Sequence, residues 1–290
     1  MIWLNLSFFS ILRRLSYFTR LVMAGYIALF ISFFAMSSHA ATPLIVVQSA
    51  TSIQNSGLYD HLLPLFEAES DINVRVVAVG TGQALRNAKK CDAELVIVHS
   101  KIDEEKFVVD GFGSHRHDLM FNDFILVGPK DDPAQIGAAK TTVEAFQKIA
   151  TAKARFASRS DDSGTHKAER RFWRTAGATP KEASGKWYLE TGLGMGATLN
   201  FAVQADAYAL TDRATWLTFK NKTTHMPLYQ GDPALFNQYG VVLVSQTHCP
   251  TIKAAESRIF VDWLLSPKGQ NAIATFQHEN RPLFFPNATP

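Results

Sequence analysis

The 290-residue chain carries 29 Lys+Arg against 26 Asp+Glu, and it has two cysteines, too few to define a disulfide scaffold. Arg13, Arg14 and Arg20 are the only charges in the first 40 residues, so without them 26 basic residues face 26 acidic ones. That balance removes any general electrostatic case for nucleic acid or an anionic membrane as partner, and affinity for an anion has to come from local placement of charge.

Residues 1–40 read as an export signal. The three arginines form a basic flank, Leu21 to Met36 is dominated by apolar residues, and Ser38-His39-Ala40 offers small side chains before a cut at Ala41. The apolar run is short for a membrane-spanning helix, which needs about 20 residues. No cysteine follows it to carry a lipid. Exported chains meet an oxidising compartment, where Cys91 and Cys249 could pair or stay free.

The remaining 250 or so residues suit one large domain or two ordinary ones. Short apolar runs predict strands over Leu44–Gln48, Asn73–Val79, Glu94–Val98, Asp123–Val127, Arg155–Ser158, Ala207–Thr211 and Tyr239–Val244. Helical stretches lie between them. Pro64 predicts a break inside the stretch from Gly57 to Glu69. Thr141 and Glu144 have capping-box spacing, with Val143, Phe146, Ile149 and Ala150 forming one apolar face. Pro267-Lys268-Gly269 should interrupt the helix of Ala254 to Leu265, which resumes from Gln270 to Phe276. Alternation of this kind means α/β layers. Asn122 to Pro129 and Tyr239 to Val244 look like crossings, out of a first domain and back into it, with a ligand cleft between the two.

Four segments follow strands or open helices, where ligands bind in parallel sheets. Gln48 to Gly57 gathers the hydroxyls of Ser49, Thr51 and Ser52, although a plain polar N-cap would look the same. Gly80-Thr81-Gly82 can bring backbone N–H groups close to a ligand, or simply turn the chain. Ser158-Arg159-Ser160-Asp161-Asp162-Ser163-Gly164-Thr165-His166 joins a guanidinium to a helix start, which adds unpaired N–H donors and about half a positive charge. The plain alternative caps the helix with Asp162 or Ser163 and pairs Arg159 with Asp161. Gly192 to Asn200 opens another helix and contains Thr198, and Thr211-Asp212-Arg213 offers a second guanidinium. Tight packing turns and a structural Asp–Arg pair are the alternatives at these two. His115-Arg116-His117-Asp118 fits no zinc spacing and reads as a solvated loop. His166 beside Ser163 and Asp161 suggests a nucleophile triad only by adjacency, whereas triad members normally come from separate segments.

These stretches together resemble the TupA-type tungstate-binding proteins, solute receptors of ABC importers. The resemblance is carried by Ser56-Gly57-Leu58, Val77 to Leu85, Phe121-Asn122-Asp123-Phe124, Val127 to Pro133, Asp161 to Lys167, Gly194 to Asn200 and Leu210-Thr211-Asp212-Arg213. It implies a type II periplasmic-binding-protein fold of two lobes, each a mainly parallel sheet flanked by helices. Lobe 1 would be discontinuous, 41–127 with 238–290, and lobe 2 would be 128–237. The implied anion site uses Ser49, Thr51, Ser52 and Thr81 from the first lobe. Arg159, Ser163, Gly164, Thr165, Thr198 and Arg213 come from the second, with Asp161 and Asp162 capping the helix or holding Arg159. Ala50 stands where the family has a hydroxyl, Ser160 where it has glycine, and His117 where a second basic residue is usual.

The expected ligand is therefore a tetrahedral oxyanion, tungstate first, held by hydrogen bonds rather than coordination, with no cofactor and no catalysis. The expected partner is the membrane permease of an ABC importer, and the receptor should act in the periplasm as a monomer. Tungstate, molybdate and sulfate need donors only, whereas phosphate keeps a proton and rewards an acceptor such as Asp161 or Asp162. A secreted hydrolase using Ser163 and His166 is the reading from another class.

Overall fold

The computed structural model describes residues 42–289, so the export signal expected over 1–40 lies outside the described residues. The fold starts with β1 (Leu44–Ala50), which pairs in parallel with β2 (Asn73–Val79) on one side and β3 (Leu95–Val98) on the other. All four residues of β3 are buried, as an apolar run covered on both faces should be. Between β1 and β2 lie α1 (Thr51–Ser56) and α2 (Leu58–Ser70). Gly57 separates them at φ 83°, a left-handed conformation open to glycine at no steric cost. Pro64 does not break α2. It and Asp60, whose carbonyl loses its N–H partner, both face solvent, so water can take the place of the missing bond.

After α3 (Thr81–Lys89) and α4 (Lys101–Val109) comes β4, a single strand of 17 residues from Gly113 to Pro129. The segment His115 to Asp118, expected as a solvated loop, is part of it. Arg116 is carried into the fold by Glu104 of α4, which accepts from its Nε at 2.7 Å, and by Asp118 at 2.6 Å. Next in the chain come α5 (Thr142–Ala152), β5 (Phe156–Ser158), α6 (Gly164–Thr175), β6 (Tyr188–Glu190), α7 (Met195–Gln204), β7 (Ala209–Asp212), α8 (Arg213–Thr218) and β8 (His225–Tyr229). Then β9 (Phe236–Val244) returns. The chain ends on α9 (Ala254–Leu265), α10 (Pro267–Thr275) and short strands. Pro267 opens α10 rather than interrupting it. Ser266 caps that helix by accepting from Gly269 N, and a proline at the first helical position has no N–H to waste.

β4 and β9 position the site. They run antiparallel, β4 outward and β9 back, with Asn122 opposite Asn237 and Asp123 opposite Phe236. Beyond Asp123, β4 leaves β9 and pairs with β7 and β8. The hydrophobic core divides accordingly. One cluster gathers Ile45, Phe66, Tyr239 and Phe260, and a second Val96, Val98, Phe107 and Val242. On the other side Phe146, Phe156, Trp173 and Tyr208 form a third, and Ile125, Met195, Leu199 and Trp216 a fourth. Cys91 and Cys249 are joined in a disulfide across 158 positions, which decides the question the sequence left open.

Candidate functional site

α1, α3 and α7 open with Ala50, Gly80 and Gly194 as caps, none of which offers a side-chain acceptor to the first N–H groups. α6 is different, since Ser163 caps it by accepting from His166 N at 3.2 Å. The starts of α1 and α3 meet the loop that leads into α6. Gly82 N donates to the Asp162 carbonyl at 3.1 Å, Arg86 donates to the Asp162 carboxylate at 2.8 Å, and Arg159 Nη2 reaches Thr51 Oγ1 at 3.5 Å.

Three polar atoms here are buried and unpartnered: Thr81 Oγ1, Thr165 Oγ1 and Arg159 Nε. Thr81 and Thr165 are fully buried, and Arg159 is 2% exposed. Each such atom costs about 1–3 kcal/mol unless something pairs with it. Two of them lie at the starts of α3 and α6 and the third in the loop that leads into α6, so unpaired donors and one full positive charge gather there.

The other expected residues are placed less openly. Ser49 belongs to β1, and its hydroxyl donates to the Ile97 carbonyl at 3.1 Å and meets the Tyr59 hydroxyl at 2.5 Å. Ser52 Oγ lies 3.3 Å from the Tyr239 hydroxyl. α7 and α8 both pack against α1. Yet Thr198 spends its hydroxyl on Leu193 O and Thr191 Oγ1, and Arg213 spends its guanidinium on Asp123, from both Nε and Nη2, and on Gln230. The two aspartates divide their work. Asp161 does what was expected, pairing with Arg159 and accepting from Ser163 N. Asp162 does not cap α6; at φ 57° it leaves the helix and accepts from Arg86 and Lys167, at 2.8 and 3.0 Å.

Sequence reasoning missed the polar layer below these loops. Asn237 Nδ2 donates to Asn122 Oδ1 at 2.7 Å and to the Tyr239 hydroxyl at 3.2 Å. Its Oδ1 is therefore the acceptor for His99 Nδ1 at 2.9 Å. The His99 ring stacks on Tyr239 and lies beneath Gly164, where a Cβ would come within 2.7 Å of it. Burial pushes the His99 pKa down to about 4; the Asn237 bond and Asp212 oppose that, and Arg159 and Arg171 add to it. Asn122 was visible in a crossing segment and in the Phe121–Phe124 match, but not as a member of this layer. His99 sits 138 positions from Asn237, so no local pattern could join them.

The arrangement can hold an anion, and Ser163 and His166 are not paired as nucleophile and base. Ser163 Oγ acts as a helix cap, and His166 Nδ1 accepts from the Asp162 backbone N–H at 3.2 Å, so neither activates the other.

Residues 37–268 match the family model described as a PBP superfamily domain. The tungstate-binding protein TupA of Peptoclostridium acidaminophilum is 43% identical over 248 residues, 84% of this chain and 86% of that protein. Among solved structures, the tungstate-binding TupA from Desulfovibrio alaskensis G20 superposes with a TM-score of 0.73 at 39% identity, covering 85% of this chain and all of that one. The tungstate ABC transporter structure from Geobacter sulfurreducens gives 0.72 at 44% identity, covering 80% and 98%.

Proposed function

The chain belongs to the PBP superfamily and, within it, to the TupA-type tungstate-binding proteins, and from that membership we propose that it is an exported receptor which captures tungstate between two lobes for an ABC importer. We assign the lobes to 41–127 with 238–290 and to 128–237, an assignment supported by the divided core and by the paired crossing at Asn122 and Asn237. Export with cleavage at Ala40/Ala41, a permease partner and a monomeric receptor complete the reading, and it involves no catalysis.

The observation that carries the reading is the buried, unpartnered set of Thr81 Oγ1, Thr165 Oγ1 and Arg159 Nε beside Thr51. These groups can donate to a dianion from both lobes at once, with Gly164 and Ser163 fixing the start of α6 among them. Ser49 and Ser52 support the loop from below through Tyr59 and Tyr239. Thr198 would join only by giving up a present partner, whereas Arg213 keeps two of its five N–H groups uncommitted. The carboxylates bear on the choice of anion. Asp161 gives its oxygens to Arg159 and Ser163 N, and Asp162 to Arg86 and Lys167. Both carboxylates are thus engaged by cations or an N–H group and are drawn away from the proton of phosphate, which favours a fully deprotonated anion.

Thermal denaturation of the mature protein with equal concentrations of tungstate, molybdate, sulfate and phosphate tests this. A ligand that binds only the folded form raises the melting temperature, and at equal concentration the tighter ligand raises it more. Tungstate should give a large rise and sulfate and phosphate small ones. Equal rises for tungstate and sulfate contradict the selectivity, and no rise with any of the four contradicts the receptor.

A further inference from the structure

The outer flank of α6 carries Lys167, Arg170, Arg171 and Arg174, a row of about 10 Å at the helical rise. Lys167 reaches Asp103 at 3.4 Å and Asp162 at 3.0 Å. Among the described residues, Arg170, Arg171, Arg174 and the nearby Lys181 have no carboxylate partner within 4 Å. The chain beyond residue 40 carries equal numbers of acids and bases, so this excess is local. Burial lowers the pKa of Arg171; Asp103 opposes that and the neighbouring Arg174 adds to it.

Two depressions flank the row. One, of about 340 Å³, is walled by His166, Arg170, Arg174 and Lys181 above Tyr188. The other, of about 240 Å³, lies between α4 and α6 and is walled by Ile102 and Asp103 on one side and by Lys167, Arg170, Arg171 and Arg174 on the other. α4 is anchored by Phe107 in the cluster with Val96 and Val98, and α6 by Trp173 in the cluster with Phe146. The second depression is thus built from both lobes and exists only while they are together. Ile102, 66% exposed, adds an apolar residue at its rim.

We propose that this composite groove is the docking surface for an acidic segment of the membrane permease, and that it engages the closed, loaded receptor in preference to the open one. The proposal rests on the receptor reading above. Unpaired guanidiniums call for carboxylates, with which Arg makes paired hydrogen bonds. A small inorganic anion would leave Ile102 and most of the row unused. A flat lipid surface meets convex faces, whereas these cations wall depressions that a protruding peptide can enter. Complementary charge of this kind raises association rates and fixes orientation.

The test uses Arg170→Glu/Arg174→Glu, residues outside the anion loops. Tungstate affinity is measured by calorimetry, and receptor-stimulated ATP hydrolysis by the cognate permease is measured in phosphatidylcholine vesicles as a function of receptor concentration. The variant should bind tungstate like wild type and need roughly ten-fold more loaded receptor for half-stimulation, equivalent to about 1.4 kcal/mol. Arg170→Gln/Arg174→Gln should move the same way by less, and Arg170→Lys/Arg174→Lys should recover most of the response. Tungstate-free wild type should resemble the Glu variant. Unchanged half-stimulation in the Glu and Gln variants overturns the docking surface, as does equal stimulation by loaded and empty receptor. Co-sedimentation with permease-free phosphatidylglycerol vesicles, lost in the Glu variant while half-stimulation stays unchanged, would assign the surface to lipid and also overturn it. Failure of wild type to bind tungstate in the calorimeter would contradict the receptor reading instead.

Discussion

Arg159 is almost fully buried and already shares its charge with Asp161, which leaves Nε without a partner. A dianion leaving water loses a large hydration energy that neutral donors recover only in part. Arg159→Ala should therefore weaken tungstate binding by about 2–5 kcal/mol, from roughly thirty-fold to a few thousand-fold. Arg159→Lys should recover part of that, because an ammonium lacks the planar fork. Calorimetry on both variants checks it, and a loss for Arg159→Ala under about three-fold, below ~1 kcal/mol, would make the guanidinium structural. This residue was legible in the sequence because a strand end, a guanidinium and a helix start fall within a few positions. His99 was not legible, since its role depends on partners from β9 and α6. It gives a pH signature. An unfolded histidine titrates near about 6.5 and His99 near about 4, so between these values the unfolded chain binds the proton and the folded one does not. Its contribution is full above the unfolded value and lost as pH falls through the folded one. Glu104 and Glu169, both pushed up to about 7 by burial, act in the opposite direction, their contribution present at low pH and lost as pH rises through 7. His99→Gln isolates the histidine: the stability of wild type relative to the variant should fall by roughly 2–4 kcal/mol from pH 7 to pH 4. Denaturant melts along that range measure it, and a constant difference would mean that His99 is not held neutral.

α6 is the element on which the site turns, and two contacts hold its start, one to His99 and one to Arg86 of α3. Gly164 over His99 is a steric fit, since a Cβ there would lie 2.7 Å from the ring. Forcing a methyl into such a place costs about 1–3 kcal/mol. Gly164→Ala should weaken tungstate affinity by roughly five- to a hundred-fold, mostly as faster release in stopped-flow measurements. The Arg86–Asp162 pair is an electrostatic clasp between side chains 54% and 42% exposed. Exposed pairs contribute about 0.2–1 kcal/mol, so Arg86→Ala should speed release by no more than about five-fold. A larger effect from Arg86 than from Gly164 would reverse this ranking of shape over charge. At this scale the sequence misled wherever a local rule met a tertiary partner. Pro64 stays in α2 because its face of the helix is wet, and the polar run at His115 to Asp118 extends because Glu104 receives Arg116. Ser49 and Ala50 finish β1 rather than start a loop, which turns the Ser49 hydroxyl to Tyr59. β6 and β8 were not predicted at all, being short and irregular in pattern.

The whole molecule was read more successfully, because α/β alternation depends on patterns repeated along the chain. β4 changes partner from β9 to β7 and β8 at Asn122 and Asp123. The disulfide is the one long-range covalent tie, and spacing could not have predicted it. Cys91 and Cys249 close a loop of 158 positions, linking the end of α3 to the segment before α9. Removing such a tie typically costs about 2–5 kcal/mol, chiefly by freeing the unfolded chain. Cys91→Ser/Cys249→Ser should lower the denaturation midpoint accordingly while leaving tungstate affinity close to wild type, since Cys91 follows the end of α3 opposite its Gly80 cap. A large loss of affinity would show that the disulfide shapes the cleft.

Capture of a dianion between two lobes is tested most directly by titrating tungstate calorimetrically into the mature wild-type chain, with sulfate as competitor. One tungstate should bind per chain, and sulfate at a hundred-fold excess, which would offset about 2.7 kcal/mol of preference, should not displace it. Displacement by sulfate at equal concentration, or no heat of binding at all, would contradict it.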